Sequence, residues 1–281
     1  MKKKFWITAI LAVACTGLMS FPGCWVEFSS SFLNYAYAEQ YTAGSGSAQG
    51  NVTELEIDWI DGSVEIVYGD VENVTFTETS KETLSEEKTV HYWLENTTLH
   101  LKFAKARELI KLSKYPDKDL KVVLPRGMEL EKLDIKAIDT SVEIDNVSIS
   151  DVEIDGVDGE VNAYLVGTTR GISVDTTSGD ITIQGDEILD FDIDIVGADV
   201  YVESLVMPKE GSFDSVGGSL TLALYDGIEG FSVEFDTVGG KFQSDFDAVK
   251  SGETYVYGSG GGNYEVDTVG GDLKIIKKTV N

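Results

Sequence analysis

Beyond residue 51 the chain alternates apolar and polar side chains in short runs, broken by Gly, Asp, Asn and Ser. A period of two puts successive side chains on opposite faces, which is the pattern of a half-buried strand. Leu55, Ile57 and Trp59 alternate, and Asp61-Gly62-Ser63 then turns into Val64, Ile66 and Tyr68. Val90, Tyr92 and Leu94 precede a turn at Asn96, and Leu99, Leu101 and Phe103 lead out of it. The run Leu120 to Leu124 is closed by Pro125, which cannot donate to a sheet ladder. These runs predict one antiparallel β unit over residues 52–125. Ala104 to Ser113 is the one stretch that fits a short helix, through Leu109, Ile110 and Leu112.

From about residue 131 a unit recurs: an alternating strand, a corner of Gly, Asp and Ser, and a second alternating strand. Examples are LDIKAIDTSVEI (133–144), VEIDGVDGEVNA (152–163), ISVDTTSGDITI (172–183), FDIDIVGADVYV (191–202), FDSVGGSLTL (213–222), VEFDTVGGKFQS (233–244) and VDTVGGDLKII (266–276). Corner glycines return roughly every 20 residues, the scale of a stacked repeat. In ISVDTTSGDITI, Ile172, Val174 and Thr176 share one face, while Ile181 and Ile183 have the opposite parity. The corner Ser178-Gly179-Asp180 must therefore shift phase for both apolar sets to point inward. Gly permits the positive φ of a sharp bend. A single unit cannot bury its apolar face, so stacking is expected to build the core. This predicts an all-β, solenoid-like domain over residues 126–281, with a more antiparallel unit before it. A sandwich of hairpins is the competing arrangement.

The units ISVDTTSGDITI and YEVDTVGGDLKII resemble those of the bacterial adhesin-like β-strand-repeat family, a domain of unknown function in exported and surface-anchored proteins. The resemblance covers roughly residues 52–278. It implies a single-stranded right-handed β-helix or a related stack of short strands, and it brings no catalytic residue with it. The chain departs from the tidy pattern at DVYVES and across residues 245–264.

The N-terminus reads as an export signal. Lys2, Lys3 and Lys4 precede an apolar stretch from Phe5 to about Trp25, and Ala36-Tyr37-Ala38 then offers small residues at the spacing signal peptidase reads. Cleavage between Ala38 and Glu39 is expected, with residues 39–51 as a flexible linker. Retention of the apolar stretch as a membrane anchor is a second route. Lipidation at Cys15 or Cys24 is a third, although neither has Leu three residues before it. All three put the body of the chain outside the cytoplasm. Those two cysteines are the only ones, so a chain beginning at Glu39 has no thiol chemistry.

Composition sharpens this picture. Hydrophobic residues make up 42% of the 281, enough for a buried core, and the formal charge is -27. Such a field repels nucleic acid and anionic headgroups, so no nucleic-acid partner is expected and membrane contact is confined to the N-terminal segment. Asp190, Asp192 and Asp194 share an outward strand face, as do Glu143 and Asp145, Glu153 and Asp155, and Glu234 and Asp236. Stacking would bring like charges together, and Ca²⁺ would relieve their repulsion. Asp190, Asp192 and Asp194 are therefore the calcium candidates, against a solvated polar face that needs no cofactor. Lys102, Lys105, Arg107, Lys111 and Lys114, with Lys118 and Lys121, form a basic cluster that would grip an anionic wall polymer or partner, or dock on the protein's own acidic faces. His91 and His100 fall on adjacent predicted strands, where two histidines can share a metal. HExxH, GxSxG and P-loop patterns are lacking. Tyr255, Tyr257 and Tyr264 frame a Gly-rich insert suited to contact.

The expected function is binding, as an adhesin or envelope scaffold acting on an envelope protein, a glycan or a wall polymer. Two alternatives stand beside it: an accessory or sensory component of an envelope-stress system that binds a membrane protein, and a β-helical enzyme acting on polysaccharide through paired carboxylates.

Overall fold

The computed structural model describes residues 34–108 and 115–279. Apart from two three-residue 3-10 turns, Ala38–Gln40 and Glu86–Lys88, every regular element among them is a strand. In chain order these are β1 Thr42–Ala43, β2 Gly46–Ser47, β3 Glu54–Gly69, β4 Thr75–Ser80, β5 His91–Glu95, β6 Thr98–Lys102, β7 Lys118–Pro125 and β8 Glu129–Val157. There follow β9 Val161–Thr169, β10 Gly171–Thr176, β11 Ile181–Ile188, β12 Asp190–Val196, β13 Val200–Val206, β14 Glu210–Val216 and β15 Leu220–Tyr225. The last are β16 Gly230–Val238, β17 Phe242–Ser244, β18 Val249–Ser251, β19 Thr254–Gly258, β20 Gly262–Val269 and β21 Leu273–Lys278.

The strands stack in register as two parallel faces joined at corners. On one face β8, β10, β12, β14, β20 and β16 follow one another in parallel. On the other the order is β8, β9, β11, β13, β15, β21 and β17. This is the solenoid-like stack that the repeat predicts, an open sheet that never closes on itself. The alternation explains the core. In β12, Phe191, Ile193 and Ile195 are buried while Asp190, Asp192 and Asp194 face out. Ile172, Phe191 and Tyr264, and likewise Val174, Ile193, Phe213 and Val266, then occupy matching inward positions in successive rungs. Gly211 sits between Phe191 and Tyr264 in this register, and the missing side chain lets the two rings stack with centroids 6.0 Å apart. A Cβ there would lie 2.2 Å from Phe191.

Both ends of the stack reverse the order of the chain. β3 lies between later strands, with β6 and β7 on its outer side and β8 on its inner side. At the far end β20 and β21 return to lie between β14–β15 and β16–β17. Antiparallel strands finish each end: β5 and β1 beyond β6, β4 and β2 beyond β7, and β19 and β18 beyond β16.

Several expectations change here. The turn expected at Asp61-Gly62-Ser63 is a corner, because both halves of β3 pair in parallel with β8. Asp61 and Gly62 make it with φ of 63° and 115°. The antiparallel pairing of this region lies in β4–β7 and in the β5–β6 hairpin at Asn96. The flexible linker expected over residues 39–51 is instead tied down, by β1 on β5 and β2 on β4, with Ala48 buried. Lys105 to Glu108 form turns, and the rest of the expected helix lies outside the described residues.

Lys118 is among the charges buried inside the first end of the stack. Lys118 is 0% exposed, its Nζ pairs with Glu78 at 2.6 Å, and it donates to the carbonyls of Lys88 and Phe103. All three of its donors are thus used. The ammonium also lies 3.8 Å from the Phe103 ring centroid. Burial outweighs Glu78 and lowers the Lys118 pKa to about 8. Removing one member of such a pair strands the other, whereas replacing both with apolar side chains does not. Glu78→Ala is expected to cost about 3 kcal/mol in chemical denaturation. The double variant Glu78→Leu/Lys118→Met strands no charge but takes the donor from the Lys88 and Phe103 carbonyls, and is expected to cost about 2 kcal/mol, less than Glu78→Ala. A Glu78→Ala cost no larger than the double variant's would contradict this.

Candidate functional site

Register converts the outward positions of the first face into columns. Asp155, Asp175, Asp194, Asp214, Asp267 and Asp236 occupy the same outward position in six successive rungs. Neighbouring rungs are about 4.8 Å apart, so the inner carboxylates Asp175, Asp194, Asp214 and Asp267 each have a carboxylate directly above and below. Toward the first end Lys102, Asp58 and Lys136 lie in register with one another, and their charges alternate. One step along the strands lies a second column, Asp192, Ser212, Glu265 and Glu234. On the other side Val196, Val216, Val269 and Val238 form an apolar column, with Val196 46% and Val238 56% exposed.

The aspartate column titrates high. Burial, then Asp194 and Asp267, push Asp214 up to about 7. Burial and Glu153 push Asp155 up to about 6, and burial and Asp192 do the same to Asp194. Burial alone raises Asp175. The repulsion anticipated from stacking is therefore present: it runs along the strand from Glu153 to Asp155 and from Asp192 to Asp194, and between rungs from Asp194 and Asp267 to Asp214. A groove of about 540 Å³ opens beside the columns, lined by Asp190, Asp192, Glu210, Ser212, Glu234, Asn263 and Glu265 among others.

The calcium candidates Asp190, Asp192 and Asp194 point out from one strand at alternate positions, and their cross-rung neighbours are Glu210, Ser212 and Asp214. Among the described residues no group of three or more His, Cys, Asp or Glu side chains is arranged to hold a metal ion. The basic cluster is dispersed. Lys102 is buried and ion-paired with Asp58 at 2.8 Å and with Glu56. Lys105 and Arg107 lie in the turns after β6, and Arg107 Nε donates to Asn34 at 3.2 Å. Lys118 is interior, Lys121 pairs with Glu65 at 2.8 Å, and Lys111 and Lys114 lie outside the described residues. His91 stands opposite Lys102 and His100 opposite Trp93, so the two histidines do not face each other. His100 stacks on Trp93 and lies 3.0 Å from Glu56. Burial opposes ionisation of Glu56, but hydrogen bonds from His100 and Lys102 outweigh it and hold its pKa down at about 2.

Of the expected cleavage residues, Ala36 lies in a turn, and Ala38 and Glu39 open the first 3-10 turn. No helix among the described residues is long and apolar enough to cross a membrane. Tyr255 and Tyr257 pack against Phe242 and Phe231 on the second end of the stack, and Tyr264 is interior, so the framing tyrosines anchor the insert to the core.

Solved structures similar to this chain share little sequence with it. A candidate cell-adhesion protein from Clostridium sporogenes is 14% identical over 85% of this chain and 100% of its own, with a TM-score of 0.34. A candidate adhesin from Bacteroides fragilis is 12% identical over 82% and 95%, with a TM-score of 0.42. Another from Parabacteroides distasonis is 16% identical over 85% and 95%, with a TM-score of 0.39. No protein of curated function matches the chain. The Toastrack DUF4097 profile matches residues 110–276, more than half of the sequence and nearly all of the stacked rungs. The chain belongs to the Toastrack DUF4097 family.

Proposed function

We propose that this chain is a binding or scaffold protein that works outside the cytoplasm, and that the acidic face of its stack is the surface that binds. The observation that carries this reading is the in-register column Asp155 to Asp236, flanked by a second carboxylate column and by exposed valines. A face that holds like charges at rung spacing is under repulsion, and a cationic partner relieves it. The valines add an apolar strip beside the charges. The partner is an envelope protein or wall polymer that presents cationic groups, and its attachment is sensitive to salt.

The test is binding of the purified protein to isolated bacterial walls and to a glycan and envelope-protein panel, at low and high ionic strength. Saturable binding is expected at low salt. A triple variant, Asp194→Asn/Asp214→Asn/Asp267→Asn, is expected to weaken it at least tenfold. Binding that survives the triple variant unchanged, or none across the panel, would remove the acidic face from this role.

A further inference from the structure

The segment around the expected cleavage point is built into the first end of the stack. The Tyr35 hydroxyl donates to the Ala104 carbonyl at 3.1 Å and accepts from the Ala106 N–H at 3.0 Å. Its ring lies 4.6 Å from that of Tyr41, and burial pushes its hydroxyl up to about 12. Tyr37 and Tyr41 both approach Trp93, with centroids 5.8 and 5.7 Å away, and Trp93 stacks in turn on His100. Arg107 reaches back to Asn34. Ala36 and Ala38 thus lie inside a docked segment, with Tyr37 in the left-handed region at φ 53°.

A cut after Ala38 would remove Tyr35 and Tyr37. It would strip a ring from Tyr41 and from Trp93, and it would take away the partner of a part-buried amide and carbonyl in the loop after β6. Losing such partners destabilises the folded state. Export precedes folding, so the fold does not shield the Ala38–Glu39 bond; the inference rests on what the folded protein loses without these residues. We propose that Asn34–Ala38 are retained in the mature protein as a docked stem, and that any processing falls upstream of Asn34. The end of the stack that carries β1 to β7 is then the end joined to the export segment, and the column Asp155 to Asp236 runs away from it.

The experiment expresses the full chain with its own leader in a bacterium that exports it, and measures the intact mass and melting temperature of the mature form. The mass is expected to include Asn34–Ala38. Tyr35→Ala in the same full chain is expected to lower the melting temperature by about 5 °C, and Tyr35→Phe, which keeps the ring but loses both hydrogen bonds, by about half as much. A mature chain that begins at Glu39 overturns the proposal. So does a retained segment in which neither Tyr35 variant shifts the melting temperature. If Tyr35→Ala does not accumulate, the mass of the parent and the shift in Tyr35→Phe decide the matter.

Discussion

Acidification from pH 8 to about pH 5 is expected to stabilise this protein, raising its melting temperature by several degrees. Asp214 titrates near 7, and Asp155 and Asp194 near 6, in the folded state. In the unfolded chain an aspartate titrates near about 3.9. Between those values the folded state binds more protons than the unfolded one, so stability falls as pH rises through the folded pKa values. The gain starts below about pH 8 and is complete near pH 4. Glu56 works with the opposite sign. Its folded pKa is held at about 2, so its stabilisation is present above about pH 4.5 and is lost as pH falls toward 2. Together they place the stability maximum at about pH 4. Asp214→Asn isolates the column: it is expected to raise the melting temperature most at pH 8, to raise it less at pH 5, to leave it nearly unchanged at about pH 4, and to flatten the slope between pH 8 and pH 5. A parent that melts higher at pH 8 than at pH 5 would contradict the stacked arrangement.

Gly179→Ala is expected to destabilise the fold by about 3 kcal/mol, a fall in melting temperature of roughly 6–12 °C. Two effects add. Gly179 has φ 96°, a conformation that costs an L-residue about 1–2 kcal/mol. A Cβ there would also lie 1.8 Å from the carbonyl oxygen of Gly159, the corner of the next rung. Two other positions separate these effects. Gly127 has φ 76° and nothing within 4 Å of a Cβ, so Gly127→Ala is expected to show the conformational part alone, about 1 kcal/mol. Gly271 has no positive φ of this kind, but a Cβ on it would meet the Gly218 oxygen at 1.9 Å, so Gly271→Ala shows the contact part. Thermal melts of the three variants check the comparison. Equal losses at Gly127 and Gly179 would show that corner stacking contributes little.

The stack was legible because alternation and corner glycines are local signals. FDIDIVGADVYV states which side chains face inward and where the phase must shift, and β12 and β13 follow it. The aspartate column was legible only in part. Each unit carries its own Asp, in VEID, ISVD, FDID, SFDS, YEVD and VEFD, but the alignment that stacks them depends on pairings between rungs. A column spans distant residues: Asp214 meets Asp267 because β20 returns past the whole insert. The same non-locality hid the ends. The spacing at Asp61-Gly62-Ser63 suits a hairpin and a corner equally, and only pairing with β8 distinguishes them. Lys102 and Lys118 read as a surface cluster because sequence proximity says nothing of Asp58 and Glu78, which pair with them from other strands.

The reversal at each end has a mechanical consequence. In a simple stack the terminal strand is an outer edge, and tension on the chain end peels strands off one by one. Here tension applied at the C-terminal side reaches β21 and β20 first, and both are held by parallel neighbours on two sides. β3 is held in the same way near the other terminus. Extraction must shear two ladders at once, so the protein resists a pull along its chain more than its open sheet would suggest.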